Sequence, residues 1–259
     1  GRLPCEDSPM DIAGYLGELD RSGRRLAEAA KEAGLGAPVP TCPGWLIRDL
    51  LRHTGGVHRW ATAFVSTGRA EPYGPDERRG FFTAPPDDGL LDWYLESHAE
   101  LVRTLKDADP DLECWAFLPA PSPLAFWARR QAHETAIHRV DAELAAGHAI
   151  TPFDPAFAAD GIDELLAGFY ARPRGRLVAD PPVSLAARAT DHEAAWTIRI
   201  EPEGRTVTSG AGPADCVISG PAARLYVFLW NRTDSTGIDV QGDRRVLELW
   251  REKATIVLK

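Results

Sequence analysis

Apolar residues recur at intervals of three and four through the first part of the chain, which is the pattern of helices with one buried face. Such stretches are Asp11–Ala33, one that begins at Gly44, Leu91–Leu105 and Phe126–Ala146. Between the second and third, Gly68–Gly89 is rich in proline, glycine and charge, and we interpret it as a loop or lid. Four helices in this order predict a bundle.

The pattern changes near residue 151, where apolar and polar residues begin to alternate in short runs that predict strands. We interpret four runs as antiparallel strands: Val183–Thr190, Ala194–Glu201, Arg205–Gly210 and Asp215–Gly220. Helices are predicted at Phe157–Tyr170, Ala222–Arg232 and Asp243–Arg251, and a last strand at Ala254–Leu258.

The change of period predicts two domains and the α+β class for the whole chain. Residues 10–150 form the four-helix bundle, and residues 151–259 form a smaller α+β domain with an antiparallel sheet and helices on one face. We interpret Gly1–Pro9 as an extension that does not belong to the fold.

Two helices of the predicted bundle carry side chains that suit a metal ion. Glu134 and His138 lie one helical turn apart, so both can reach one ion without a bend in the backbone. His53 interrupts an apolar stripe on the second helix, and a buried imidazole needs a partner. That partner is either a metal ion or a backbone carbonyl, and the Glu134–His138 spacing also fits a surface ion pair.

Other polar residues allow a structural and a functional interpretation. Asp141 either orients the imidazole of His138 or pairs with Arg139 or solvent. His98 lies on the inner stripe of the third helix and is interpreted as structural, whereas the role of His133 is left open.

The TCPGW segment before the second helix and two glycines within that helix also allow local interpretations. Thr41 is expected to cap the helix, and Cys42 to pack as a small hydrophobe. Gly55 and Gly56 mark either a tolerated kink or a point where another helix or a ligand comes close.

Charge and cysteine content narrow the range of partners. The 259 residues carry a formal net charge of -9, which argues against binding to nucleic acid or to an anionic membrane surface. The sequence has no apolar run of about 18 residues, so no membrane span is predicted. Its 4 cysteines are scattered without a C-x-x-C pair, which is typical of the reducing cytoplasm.

Two segments resemble the signature stretches of the mycothiol-dependent maleylpyruvate isomerase family: VPTCPGWLIRDLLRHTGGVHRW (Val39–Trp60) and FWARRQAHETAIHRVDAE (Phe126–Glu143). Leu225–Thr233 and Ile238–Trp250 extend the resemblance toward the C-terminus. The resemblance implies a DinB-like helical bundle followed by an α+β domain. It also implies a metal-ligand set of His53, Glu134 and His138.

Three protein ligands leave a tetrahedral ion with an open position, as in catalytic zinc sites, and zinc is the expected ion. The resemblance implies that mycothiol is the thiol cosubstrate and that it adds to a small electrophile such as maleylpyruvate. Arg232 matches a C-terminal arginine of the family, which implies a catalytic role toward a carboxylate or polar group, unless it only stabilises a helix end. Asn231 stands where the family often has glycine.

The same residues suit two other functions. A mycothiol S-transferase would retain the new C–S bond, in detoxification or in biosynthesis. A non-catalytic bundle would bind only a metal or small ligand. The expected partners are mycothiol and an electrophile, without nucleic acid or membrane, and the chain is expected to be a monomer or a homodimer.

Overall fold

The computed structural model describes residues 10–256, and the chain divides into two compact units. The first unit is Asp11–Thr151. It contains helices α1 (Ile12–Ala33), α2 (Ile47–Thr67), α3 (Pro75–Phe81), α4 (Asp87–Asp107) and α5 (Pro123–Ala145). The predicted extension Gly1–Pro9 lies outside the described residues.

The four long helices α1, α2, α4 and α5 pack as the predicted bundle, with α5 against both α1 and α2. Helix α1 begins at Asp11, whose carboxylate accepts from the Gly14 N–H at 2.7 Å. Helix α5 begins with Ser122 as its cap and Pro123 in its first turn. Most residues of α5 are buried on every face, so its polar side chains must find partners inside the bundle.

Two local expectations for this unit are wrong. The proposed loop Gly68–Gly89 contains helix α3, because Pro75 can occupy a first helical turn and acidic residues follow it there. Helix α2 begins only at Ile47, where Asp49 accepts from the Leu46 N–H at 2.8 Å. Thr41 therefore does not cap this helix.

The two glycines in α2 mark close packing against aromatic rings. A Cβ atom at Gly55 would overlap the ring of Trp93 on α4, and one at Gly56 would overlap the ring of Phe82. The structure therefore favours the second sequence interpretation, in which another element comes close to the backbone.

The second unit, from Pro152 onward, combines a five-stranded sheet with helices. Helix α6 (Pro155–Asp163) continues as a π-helical segment (Glu164–Tyr170), and the elements that follow are β1 (Val183–Ala189), β2 (Ala195–Glu201), β3 (Gly204–Ser209), β4 (Cys216–Gly220), α7 (Ala222–Leu229), β5 (Asp239–Gly242) and α8 (Arg245–Lys253). The predicted α+β class is confirmed. Part of the predicted last strand, Ala254–Leu258, lies outside the described residues.

The sheet differs from the prediction in one pairing and one strand. Its order is β3-β2-β1-β4-β5, and β4 runs parallel to β1, with Leu185 opposite Cys216. The other pairings are antiparallel. Strand β5 was not predicted, because its four residues DVQG are mostly exposed and carry no apolar alternation.

Among residues 10–256, none of the helices combines the length and the apolar character needed to cross a membrane.

We predict that Gly55→Ala destabilises the first unit, although alanine favours a helix by about 1 kcal/mol over glycine. The added methyl group would meet the Trp93 ring, and overpacking of this kind costs about 1–3 kcal/mol. Chemical denaturation of the variant measures the change. Gly80→Ala is the matched control, since a Cβ at this α3 position meets no atom within 4 Å. Equal effects of the two substitutions would contradict the packing argument.

Candidate metal centre

The structure brings His53 of α2 together with Glu134 and His138 of α5. The Nε2 atoms of His53 and His138 lie 3.0 Å and 3.1 Å from the same oxygen, Glu134 Oε1. One ligand atom from each of the three side chains lies within 4.8 Å of the others. The packing of α2 on α5 produces this convergence, because the helical spacing places Glu134 and His138 on one face.

The centre is buried on the α5 side and accessible on the α2 side. The side chains of Glu134 and His138 are 8% and 11% exposed, whereas that of His53 is 25% exposed. A small molecule therefore approaches the centre most easily beside His53.

Charge within the centre outweighs the effect of burial. Burial opposes ionisation of Glu134, but His138 and His53 together hold the pKa of its carboxyl well below the usual range. Burial also favours a neutral His138, but the Glu134 charge and the hydrogen bond to Asp141 hold the pKa of this imidazole well above its usual value. These two shifts favour an ionised Glu134 carboxylate beside a protonated His138 imidazole.

Asp141 lies on the far side of His138 from Glu134. Its Oδ2 atom is 2.8 Å from His138 Nδ1, so it orients the imidazole, one of the two roles left open by the sequence. Arg139 pairs with Glu143 at 3.0 Å. Cys42 packs against the apolar core, as the sequence predicted, and its thiol also lies 3.3 Å from Asp141 Oδ2. Cys42, Asp141 and His138 form a second group whose ligand atoms could hold an ion.

Aromatic rings surround the two imidazoles. The Trp45 ring lies 5.0 Å from that of His53 and 6.2 Å from that of His138, in a stacked orientation to the latter. Phe82 lies 6.3 Å from His53. The spacing argument missed both residues, because Trp45 lies in a turn and Phe82 at the end of α3, outside any helical repeat.

Three other histidines of the bundle are buried in other contacts. His58 Nε2 lies 2.8 Å from the Thr135 hydroxyl, next in sequence to Glu134. His98 packs with its ring against Gly23, where a Cβ atom would overlap the imidazole. His133 is fully buried and meets the Tyr15 ring edge-on. His58 was missed by the sequence reasoning, although it lies five residues beyond His53 on the same helix.

Arg232 belongs to the second unit and follows helix α7. Its guanidinium donates to the Trp230 carbonyl at 2.9 Å. The preceding Asn231 has φ 58°, a left-handed conformation that glycine or asparagine adopts most easily. The Asn231 amide also donates to the Ala254 carbonyl at 2.8 Å, so asparagine suits this position. The catalytic role of Arg232 stays a prediction.

The donor set suits a divalent metal of the zinc type. Two imidazole nitrogens and one carboxylate oxygen are ligands that zinc accepts, and three protein ligands leave a position open. The contact of His138 Nδ1 with Asp141 leaves Nε2 as the nitrogen that faces Glu134 and His53.

Comparison with known families identifies both parts of the chain. Residues 16–143 match the model for the mycothiol maleylpyruvate isomerase N-terminal domain. Residues 156–249 match the model for the C-terminal domain of the same family, abbreviated MDMPI. Comparison with curated proteins gives no significant match.

Solved structures show that the fold is shared. A crystal structure of the mycothiol-dependent maleylpyruvate isomerase is 16% identical, with a TM-score of 0.61, over 90% of this chain and 93% of that chain. A crystal structure of a histidine-to-alanine mutant of that isomerase gives a TM-score of 0.62 at the same identity and coverage.

We predict that His58 lowers stability in mild acid. Burial, reinforced by His98, holds the pKa of this imidazole well below its usual value, so the native state keeps it neutral while the unfolded chain binds a proton near pH 6.5. The contribution of neutral His58 to the free energy of unfolding is complete above about pH 6.5. This contribution is lost as the pH falls, by about 1.4 kcal/mol between pH 7.5 and 5.5.

Urea denaturation of His58→Gln at the two pH values tests this, since glutamine can still bond to Thr135. Between the two pH values, His58→Gln should lose less unfolding free energy than the wild type, by about 1.4 kcal/mol. The matched control is His148→Gln, because the His148 side chain is 41% exposed. The pH dependence of the unfolding free energy should change little in this variant. An unchanged dependence in His58→Gln would contradict the assignment.

Proposed function

Because the chain belongs to the mycothiol-dependent maleylpyruvate isomerase family, we propose that it is a metal-dependent enzyme that activates mycothiol for addition to a small electrophile. One observation carries the proposal: the two imidazole Nε2 atoms of His53 and His138 converge on one oxygen of Glu134. This convergence supports a metal centre in which three protein ligands leave one position open.

His53, Glu134 and His138 would hold the ion, and zinc is the ion that we propose for this donor set. A bound divalent ion lowers the pKa of a coordinating thiol, which makes the nucleophilic thiolate available at neutral pH.

The residues of the chain prepare that chemistry. Asp141 accepts from His138 Nδ1 and so keeps Nε2 available as a ligand. Trp45 and Phe82 border the imidazoles with apolar rings, and lower polarity around charged groups strengthens electrostatic interactions there. Glu134 supplies a negative charge that partly compensates a divalent cation.

For maleylpyruvate, we propose that the thiolate adds to the cis double bond, that the resulting single bond rotates, and that the thiol then leaves to give fumarylpyruvate. Retention of the C–S bond would instead make the protein an S-transferase. An assay for mycothiol consumption beside one for fumarylpyruvate formation separates the two, because isomerisation regenerates the thiol. A cytoplasmic location fits the proposal, and the state as monomer or homodimer stays a prediction.

We predict that Glu134→Ala and His53→Ala lose stoichiometric metal and activity, because each removes one of the three ligands. Metal analysis of protein purified without chelator measures the content, and readdition of zinc to the wild type after chelation should restore activity. His148→Ala is the control, since this exposed histidine pairs with Glu32 outside the centre. Wild-type protein with far less than one ion per chain would refute the metal-dependent proposal.

We predict that Arg232→Ala raises the KM for thiol or electrophile while metal content stays unchanged. The reason is that a guanidinium suits a carboxylate or polar group of a substrate, whereas Arg232 is not among the proposed ligands. Steady-state kinetics with each substrate varied in turn measures the effect. Arg251→Ala is the control, because Arg251 also lies in the second unit and bonds to a backbone carbonyl. Unaltered kinetics would leave Arg232 with a structural role only.

A further inference from the structure

The segment Thr41–Trp45, which we call the TCPGW turn, is a closed and well-bonded structure. The Cys42 N–H donates to the Val39 carbonyl at 3.1 Å, and the Trp45 N–H donates to the Cys42 carbonyl at 2.9 Å. Val39 in turn donates to the Trp45 carbonyl at 2.9 Å, and Gly44 takes a left-handed conformation with φ 84°. These bonds define where the side chains of the turn lie.

Two consecutive side chains of this turn reach the same buried carboxylate on α5. The Thr41 hydroxyl donates to Asp141 Oδ1 at 2.5 Å, and the Cys42 thiol donates to Asp141 Oδ2 at 3.3 Å. Asp141 is fully buried, and a buried carboxylate is costly without such donors. A hydroxyl is a much stronger donor than a thiol, so Thr41 is the main anchor.

Asp141, held by these hydrogen bonds, in turn contacts a residue of the proposed metal centre. Its Oδ2 atom accepts from His138 Nδ1, and His138 Nε2 then faces Glu134 Oε1 at 3.1 Å. The partner of one ring nitrogen fixes both the tautomer and the orientation of the other. A carboxylate free to rotate would leave the imidazole with a wider range of orientations.

We propose that Thr41 is a positioning residue of the metal centre, which acts through Asp141 to fix the Nε2 atom of His138, with Cys42 in a lesser supporting role. The inference rests on the proposed function, since it assigns a role toward the same ion. This role accounts for the contacts of Thr41 and Cys42 with Asp141, which neither helix capping nor simple packing explains. Trp45, at the end of the turn, contacts the imidazoles directly, whereas Thr41 and Cys42 act through Asp141.

The test compares Thr41→Val, which keeps the shape of the side chain and loses the donor, with Thr41→Ser, which keeps the donor. Competition with a chromogenic chelator measures zinc affinity, and the visible absorption of the cobalt-substituted protein reports ligand geometry. Thr41→Val should lower zinc affinity by roughly tenfold and alter the cobalt spectrum, because loss of a supporting hydrogen bond around a metal ligand costs 10–100-fold. Thr41→Ser should stay within about twofold of the wild type.

Thr62→Val is the matched control, because the Thr62 hydroxyl donates to the His58 carbonyl at 2.7 Å and Thr62 does not belong to the proposed ligand group. Thermal unfolding establishes that each variant is folded, and Thr41→Ala replaces Thr41→Val if the latter does not fold. Cys42→Ala should weaken zinc binding less than Thr41→Val.

The outcomes separate this inference from the proposed function. In one outcome, the wild type binds one zinc ion tightly while Thr41→Val matches Thr41→Ser in zinc affinity and cobalt spectrum. That result would overturn the positioning role and leave the metal centre intact. If the wild type binds zinc no better than His53→Ala, the metal centre itself is refuted, and the role of Thr41 with it.

Discussion

The site depends on one buried carboxylate oxygen shared by two imidazoles. Glu134 Oε1 lies within hydrogen-bond distance of His53 and His138, and the Glu134 residue is buried. An ionised carboxylate in such a place must be compensated, because an isolated buried charge is very costly. The buried Arg130 guanidinium, 3.5 Å from Glu134 Oε2, supplies part of the compensation. A proton on His138 adds to it, and a divalent cation bound at the proposed centre would take the place of that proton.

Close packing of the helices is the condition for this arrangement. Gly55 and Gly56 let the rings of Trp93 and Phe82 lie against the backbone of α2, on the helix that carries His53. Gly23 on α1 does the same for the ring of His98 on α4. Interiors packed in this way transmit small displacements, so the position of His53 depends on residues without metal-binding chemistry.

Polar groups within the bundle form layers around the centre. His58 bonds to Thr135, next in sequence to the proposed ligand Glu134, and Asp141 connects His138 with the turn before α2. The His58–Thr135 and Thr41–Asp141 contacts join helix α5 to other segments, so satisfying the polar side chains of this buried helix also fixes its neighbours. The chemistry of the centre and the stability of the bundle therefore share many of the same hydrogen bonds.

The sequence by itself determined which elements form and which residues are candidates for the site. Helical periodicity predicted α1, α2, α4 and α5, and the one-turn spacing placed Glu134 and His138 on one face, because both follow from local geometry. Local alternation likewise predicted β1 to β4, but it gives no information on pairing, so the parallel β1–β4 contact was missed. Only the tertiary structure brought His53 to Glu134 and Thr41 to Asp141, since these contacts join residues 81 and 100 positions apart. Their formation depends on how helices pack, and that is decided by the whole interior rather than by any single stretch of sequence.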